Sequence, residues 1–211
     1  MATCAVSRIA LYVTDQSVNK KVRAMGRPKN FYPETAIAAV KELFWLQGYE
    51  GTSLHDIELA TGLAKQSLYR EFGDKRGIYL AALRHYEQHE AAEAARVLAQ
   101  HDNPRDAFAA LFAIVIAEAE SSHRRGCFLC NAGADRTMID PAIGTAVSDA
   151  MERLAFTFAR KLDDADPLLG RARALVAFYV GLRISVRAGC AFDPLVATVR
   201  HGIGVFFHDH K

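Results

Sequence analysis

Apolar side chains recur along most of the chain at intervals of three or four residues, the period of amphipathic helices. The first such stretch begins at Pro33, which suits the first turn of a helix, and stops at Gly48. No stretch alternates apolar and polar residues over the length that a half-buried strand needs. The pattern therefore predicts an all-α protein.

Asx-Pro pairs and a glycine divide the second half of the chain into further helical segments. In each pair the Asn or Asp can cap the helix that the proline begins. The predicted breaks lie at Asn103-Pro104, Gly126, Asp140-Pro141, Asp166-Pro167 and Asp193-Pro194. The helices between them are predicted at 107–122, 142–161, 168–188 and 195–207.

The last two of these segments carry apolar residues on more than one side. The positions concerned include Val176, Val180, Leu182 and Val186. One small core does not have room for all of them, which predicts that the last two helices form a four-helix interface with a second copy of the chain.

Two short helices follow the first one, at about 53–61 and 65–72, with Gly62 between them. Thr52 or Ser53 is expected to cap the first of the pair. The side chains expected to face inward from it are Leu54, Ile57 and Ala60. The second helix has a polar outer face, and such a pair forms a helix-turn-helix, which places its second helix in the major groove of DNA.

The polar residues on the second short helix have the chemistry that DNA recognition needs. Gln66 can bond adenine, and Lys65 can bond guanine or a phosphate. Tyr69 and Lys75 are placed for backbone phosphates, and amides at the start of the next helix can join Lys75. The same helix pair also occurs in all-α proteins that never bind DNA, so the pattern alone leaves both interpretations open.

An ordered series of residues within 26–90 resembles the DNA-binding domain of the TetR/AcrR family of regulators. The series comprises Gly26-Arg27-Pro28-Lys29, Phe44-Trp45, Gly48-Tyr49-Glu50-Gly51-Thr52-Ser53, Asp56-Ile57, Gly62-Leu63, Ser67-Leu68-Tyr69 and Phe72-Gly73-Asp74-Lys75. The resemblance implies a homodimer that presents two recognition helices to a near-palindromic operator in double-stranded DNA. It also implies repression that a small-molecule effector relieves by entering the C-terminal part.

Position by position, the resemblance implies a set of DNA contacts. They are Arg27, Lys29, Thr52, Lys65, Gln66, Ser67, Tyr69 and Lys75. Two residues depart from the family pattern: Ala64 stands at the cap of the recognition helix, where Ser or Thr is common, and Glu58 stands where a small residue is usual.

The predicted organisation has three parts. Residues 1–25 are expected to be a disordered or extended segment, since Met25 followed by Gly26 looks like a natural start of translation and leaves open whether 1–24 belong to the protein. Residues 26–90 form the DNA-binding domain, with its motif at 53–72. Residues 91–211 form a helical bundle for effector binding and dimerisation.

Cys127 and Cys130 form a lone C-x-x-C within 126–132, a stretch similar to one found in a branch of the family with diverse effectors. It can be a redox switch, half of a metal site, or two small buried groups of the core; we favour the last. The candidate effector-pocket residues are Phe112, Cys127, Cys130, Phe156, Phe178 and Arg183. A partner carboxylate is the expected neighbour of Arg183, with a clamp for an acidic effector as the alternative.

Composition narrows the function further. The net charge of +2 excludes binding of nucleic acid by bulk charge, so any DNA contact comes from a few well-placed groups. No apolar run approaches the roughly 20 residues of a membrane-spanning helix, and four cysteines suggest a reduced, cytoplasmic setting. Because there is no Gly-rich phosphate loop and no second C-x-x-C, we expect a regulator rather than an enzyme, with no cofactor and no metal. Repressor, activator and oxidation sensor remain open.

Overall fold

The computed structural model describes residues 33–121, 124–134, 140–163 and 169–208, which form helices joined by short connections. The helices are α1 (Pro33–Gly51), α2 (Leu54–Thr61), α3 (Lys65–Phe72), α4 (Lys75–Tyr86), α5 (Ala92–Ala99), α6 (Pro104–Ala117), α7 (Phe128–Ala134), α8 (Pro141–Leu162), α9 (Gly170–Arg187) and α10 (Phe192–Phe206). A π-helical turn (Glu87–Ala91) joins α4 to α5, and a 3-10 turn (Glu118–Glu120) follows α6. No strand occurs among these residues, and the predicted all-α class is confirmed.

Glycines end the helices of the N-terminal part at the predicted positions. Gly48 leaves the helical conformation with φ 73° and ψ 174°, so the regular part of α1 stops there. Gly62 ends α2 in the left-handed region at φ 65°, and its amide donates to the carbonyl of Glu58. Positive φ costs glycine little because it has no Cβ. The turn between α2 and α3 therefore follows from the local sequence.

Side-chain caps fix the starts of several helices. Ser53 caps α2: its hydroxyl accepts from the amide of Asp56 (3.1 Å), while its own amide donates to the Asp56 carboxylate (2.8 Å). Hydrogen bonds from the Ser53 hydroxyl and amide lower the pKa of Asp56. Asn103 and Asp140 cap α6 and α8 as predicted, each immediately before a proline.

The predicted break at 193–194 is wrong. Helix α10 begins at Phe192, and Ala191 at its cap makes no side-chain hydrogen bond. Asp193-Pro194 instead occupies the first turn of α10. A proline is tolerated there because backbone amides in the first turn have no partner within the helix. The pair at 166–167 lies outside the described residues.

The helices share two hydrophobic cores. The first joins α1–α4 to α7 and the start of α8, and the second joins α5, α6, α8, α9 and α10. Phe128 of α7 sits in the first core, with its ring centroid 6.4 Å from Trp45, 5.5 Å from Tyr79 and 5.8 Å from Tyr86. The helices predicted to bind DNA therefore pack directly against a helix of the C-terminal half. The division at 90/91 stays a prediction.

Two predictions of burial are wrong. Ala60 is exposed on α2, although it lies three residues after the fully buried Ile57 and therefore close to the same side of the helix. Val176, Leu182 and Val186 of α9 are buried within their own chain, since α9 packs against both α6 and α8. The second copy that these residues were expected to require is thus not needed to bury them. No helix in the described part of the chain is long and apolar enough to cross a membrane.

Candidate nucleic-acid interface

Helix α3 is an exposed rod held by one buried side chain. Leu68 is 0% exposed and packs in the first core with Ile57 of α2, flanked by the half-buried Leu54 and Leu63. On the same helix Lys65 and Gln66 are exposed, while Ser67 and Tyr69 are half-buried. The predicted recognition helix therefore presents its polar residues to solvent, as insertion into a major groove requires.

Glu58 caps α3 from the preceding helix. Ala64, at the cap position, has no side chain that can accept a hydrogen bond. The Glu58 carboxylate accepts from the backbone amide of Lys65 at 2.6 Å instead. Glu58 thus compensates for the missing capping side chain at Ala64, because a carboxylate, like a hydroxyl, can accept a hydrogen bond from an amide at the start of a helix. This role of Glu58 was not predicted from the sequence. The signal that could have indicated it is a helix start without a capping residue, at Ala64, together with an acidic residue seven positions before Lys65.

Glu58→Ala is expected to destabilise the protein by about 0.5–2 kcal/mol, the usual cost of losing an N-cap. The reason is that the Lys65 amide loses its partner. In the Glu58→Ala background, Ala64→Ser supplies a hydroxyl at the cap position and is expected to recover most of the loss. Chemical denaturation of the three variants measures this. If Ala64→Ser stabilises the wild type as much as it stabilises Glu58→Ala, the carboxylate is not the cap.

Two lysines of the predicted interface lie against aromatic rings. The Lys65 ammonium is 5.2 Å from the ring centroid of Tyr69, and the Lys75 ammonium is 4.4 Å from that of Tyr49. Such contacts restrict a flexible side chain without removing its charge. At the start of α4 the Asp74 carboxylate already accepts from the amide of Gly77 (2.8 Å), so this amide is not free for a phosphate.

Gly77 is required by the close approach of α3 to α4. A Cβ at this position would lie 1.8 Å from the carbonyl oxygen of Phe72. Only glycine allows the end of α3 to touch the first turn of α4.

Thr52 is not placed to contact DNA, so this predicted contact is wrong. The residue is fully buried, and its hydroxyl donates to the carbonyl of Gly48 at 2.8 Å. Thr52 instead joins the end of α1 to the start of α2. Arg27 and Lys29 lie outside the described residues, so their predicted contacts stay predictions.

A cleft of about 450 Å³ opens between α7, α8 and α9. Its walls are mostly apolar, and an ion pair between Glu152 and Arg173 (2.9 Å) lies beside it. The lining residues include Leu129, Cys130, Val147, Met151, Val176 and Val180. A mostly apolar recess with one charged pair suits a small, largely apolar ligand.

The predicted pocket residues do not all meet at this cleft. Cys130 lines it. Phe112 and Phe178 pack against each other in the second core, at a centroid distance of 5.1 Å. Phe156 is 57% exposed on the outer side of α8, so its assignment to an internal pocket is wrong. Helical spacing placed it beside Phe158, but only the packing of α8 shows which of the two faces inward.

Cys127 and Arg183 belong to a buried polar cluster behind the cleft. The Arg183 guanidinium, 14% exposed, pairs with Glu118 at 2.7 Å and donates to the Tyr179 hydroxyl at 2.8 Å. The Cys130 amide donates to the sulfur of Cys127 at 3.5 Å. Arg183 has the partner carboxylate expected for it. In the described part of the chain, no three His, Cys, Asp or Glu side chains are arranged to hold a metal ion.

This cluster shifts the pKa values of the two thiols in opposite directions. Hydrogen bonding from the Cys130 thiol, with further help from the Arg183 charge and the Tyr86 hydroxyl, lowers the pKa of Cys127 to about 6 despite its burial. The pKa of Cys130 is raised, because its thiol donates to Cys127, because it is buried, and because a second negative charge beside Cys127 is unfavourable.

Three comparisons place the chain among known proteins. A family model described as bacterial regulatory proteins, tetR family, matches residues 36–82. The HTH-type transcriptional repressor ComR of Escherichia coli (strain K12) is 30% identical over 189 residues, covering 82% of this chain and 88% of ComR. The HTH-type transcriptional repressor BdcR of the same organism is 38% identical over 85 residues, covering 40% of this chain and 43% of BdcR.

A solved structure extends the likeness to both halves of the chain. The TetR family transcriptional regulator CifR, as a cysteine mutant complexed with double-stranded operator DNA, is 26% identical. Its TM-score is 0.74, and the match covers 84% of this chain and 98% of CifR. The match therefore spans the helix-turn-helix and the helical bundle behind it.

Proposed function

Because the chain belongs to the TetR family of bacterial regulatory proteins, we propose that it is a repressor that binds a near-palindromic operator as a homodimer. A small-molecule effector releases it from the DNA. The observation that carries the proposal is the exposed polar face of α3, anchored from behind by the buried Leu68. The repressors to which the chain is similar support the direction of regulation.

The proposed DNA contacts divide by chemistry. Gln66, exposed on α3, reads an adenine through its amide, and Lys65 reads a guanine or binds a phosphate. Ser67, Tyr69 and Lys75 hold the backbone phosphates and set the register of α3 in the groove. With a net charge of +2 for the whole chain, these few groups carry the binding.

The last two helices are proposed as the dimer interface. Small or apolar residues line the exposed side of α9 at helical spacing, and α10 adds others. They are Ala174, Ala177, Gly181 and Ile184 on α9, and Ala197 and Val205 on α10. Small side chains let two helices approach closely, and a twofold axis through this face pairs it with its own copy. Burying Ile184 and Val205 there removes exposed apolar surface from water.

The cleft between α7, α8 and α9 is proposed as the effector site. An apolar molecule lying against Met151 and Val180 touches Cys130 of α7. A displacement of α7 reaches the DNA-binding helices through Phe128, which packs on Trp45 of α1 and Tyr79 of α4. The effector thus acts by favouring an arrangement of α1 and α4 that does not fit the operator.

We further propose that the protein works in the cytoplasm as a regulator rather than as an enzyme. The described cysteines, Cys127, Cys130 and Cys190, are free thiols, as a reducing compartment keeps them. Both proposals follow from the kinship with transcriptional regulators.

Selection of binding sites from random duplex DNA by the purified full-length chain tests the proposed function. We expect enrichment of a near-palindrome whose half-sites lie about one helical turn, or a multiple of it, apart. The molar mass of the protein–DNA complex, measured by light scattering, is expected to correspond to one or more pairs of chains on each operator. Failure to enrich any symmetric sequence at low salt, where DNA binding is strongest, would falsify the proposal.

A further inference from the structure

Cys127 and Cys130 lie together in a polar cluster that three separate helices build inside the core. Both thiols border one small internal cavity, of about 30 Å³, together with Tyr86 of α4 and Tyr179 of α9. Arg183 is held next to them by its ion pair with Glu118 and by the Tyr179 hydroxyl. Two cysteines packed only as small apolar groups would need neither a guanidinium nor two tyrosine hydroxyls beside them.

A small polar molecule can approach this pair from outside. Cys130 lines not only the internal cavity but also the 450 Å³ cleft between α7, α8 and α9. It borders a second recess of about 570 Å³ as well, between α7 and residues of α1, including Gln47 and Gly48. Cys127 is buried and lines neither opening, so the route to it passes Cys130.

We propose that Cys127 and Cys130 are a peroxide-reactive dithiol whose oxidation to a disulfide weakens operator binding. The proposal rests on the proposed function for its effect on DNA, whereas the chemistry of the pair stands apart from it. Hydrogen peroxide or a small organic hydroperoxide is the oxidant, a class small enough to pass the walls of the cleft.

The reaction balances in two steps. The Cys127 thiolate attacks one peroxide oxygen, so that an S–O bond forms, the O–O bond breaks, and hydroxide leaves and takes up a proton as water. The Cys130 thiol then gives up its proton and attacks the Cys127 sulfur; the S–S bond forms, the S–O bond breaks, and the second oxygen leaves as water. Two thiols and one hydrogen peroxide yield one disulfide and two waters.

The electrostatics of the cluster suit this order of events. Only the thiolate is the nucleophile, and the Cys130 thiol, the Arg183 charge and the Tyr86 hydroxyl hold the pKa of Cys127 at about 6. The negative charge on Cys127 is in turn one reason why the pKa of Cys130 is raised. Once Cys127 has become a sulfenic acid, that charge is gone and Cys130 deprotonates more readily. Cys127 is thus the attacking residue and Cys130 the resolving one.

The disulfide acts on DNA binding through α7. Bonding brings the two sulfurs to about 2.05 Å and withdraws Cys127 from Tyr86 and Arg183. Phe128, the next residue, packs between Trp45, Tyr79 and Tyr86 of the helices that carry the recognition element. A closely packed core does not absorb such a shift locally, so α1 and α4 move with α7.

The test uses the full-length chain with Cys4→Ser and Cys190→Ser, which leaves only the two thiols in question. With one equivalent of hydrogen peroxide, mass spectrometry is expected to find a peptide spanning both cysteines that has lost two hydrogen atoms. Operator affinity, measured by fluorescence anisotropy, is expected to fall by about 5–150-fold and to return with dithiothreitol. In the same background, Cys130→Ser is expected to stop at a sulfenic acid on Cys127 that dimedone traps.

The reaction rate gives a readout that needs no substitution at Cys127 or Cys130. Peroxide consumption by the two-thiol protein is expected to fall as the pH drops through about 6, where Cys127 becomes protonated. An ordinary thiol would already lose its rate below about 8.5. The single variant Cys190→Ser is the control, because Cys190 is exposed and outside the cluster; its oxidation behaviour is expected to match the wild type.

Two results would overturn the proposal. One is oxidation that yields only disulfides between chains, with no mass loss within the Cys127–Cys130 peptide. The other is formation of the internal disulfide with unchanged operator affinity. If the reduced protein selects no operator while the disulfide still forms at the stated pH dependence, the proposed function fails and the dithiol chemistry stands.

Discussion

Gln66→Ala is expected to weaken operator binding by about 2–6 kcal/mol, or roughly thirtyfold to twenty-thousandfold, since each half-site loses a base contact of about 1–3 kcal/mol. Gln66 is exposed on α3, and its replacement leaves the Leu68 anchor and the cap from Glu58 untouched. The loss is therefore expected in binding and not in folding. Fluorescence anisotropy on the selected operator, at one fixed salt concentration, measures it.

Random duplex DNA and a second variant show whether the loss is specific. Gln66 is uncharged, so binding to random DNA, which depends on phosphate contacts, is expected to stay the same. Glu71→Gln is the matched control, because Glu71 is exposed on the same helix but faces away from Gln66, and the exchange keeps the size of the side chain. An equal loss of affinity on operator and random DNA would show that Gln66 does not read a base.

Leu68→Ala is expected to lower the free energy of unfolding by about 2–5 kcal/mol, the range for truncating a fully buried leucine. For a chain of this size that corresponds to a fall in melting temperature of about 4–20 °C. Operator binding is expected to be lost as well. An isolated helix shorter than about 12–15 residues is only marginally stable, and α3 has 8, so its position depends on packing by Leu68.

Leu59→Ala supplies the comparison for this change. Leu59 lies on α2 and is 70% exposed, so the same truncation removes little buried surface and is expected to change stability by no more than about 0.5 kcal/mol. Thermal unfolding followed by circular dichroism compares the two variants and the wild type. Equal melting temperatures for the two variants would mean that Leu68 does not anchor α3.

Much of the helix-turn-helix follows from residues that are close together in the sequence. The bounds of α3 at 65–72 agree with the prediction, and the breaks at Gly48 and Gly62 are confirmed. The capping of α2 by Ser53, and of α6 and α8 by Asn103 and Asp140, depends on hydrogen bonds that span two or three residues. Such interactions can be predicted from the sequence because both partners are close together in the chain.

The wrong predictions concern residues whose burial depends on parts of the chain that are distant in the sequence. Helical spacing put Ala60 inward and Phe156 in a pocket, because it shows which residues share a face but not which element covers that face. For the same reason it put Val176, Leu182 and Val186 at an interface, although α9 buries them within their own chain. Thr52 was assigned to DNA by family position, yet the turn between α1 and α2 buries it.

The sequence by itself determined the helical class, several helix ends in the N-terminal part and the bounds of α3, since helix period, glycine conformation and capping act within a few residues. Only the tertiary structure decided that Glu58 caps α3 and that Arg183 meets Glu118, 65 residues away in the chain. It also decided that Cys127 and Cys130 lie beside Tyr86 and Tyr179. The physical reason is that buried charges and thiols acquire their properties from the groups packed around them, and α4, α7 and α9 come together only when the chain has folded.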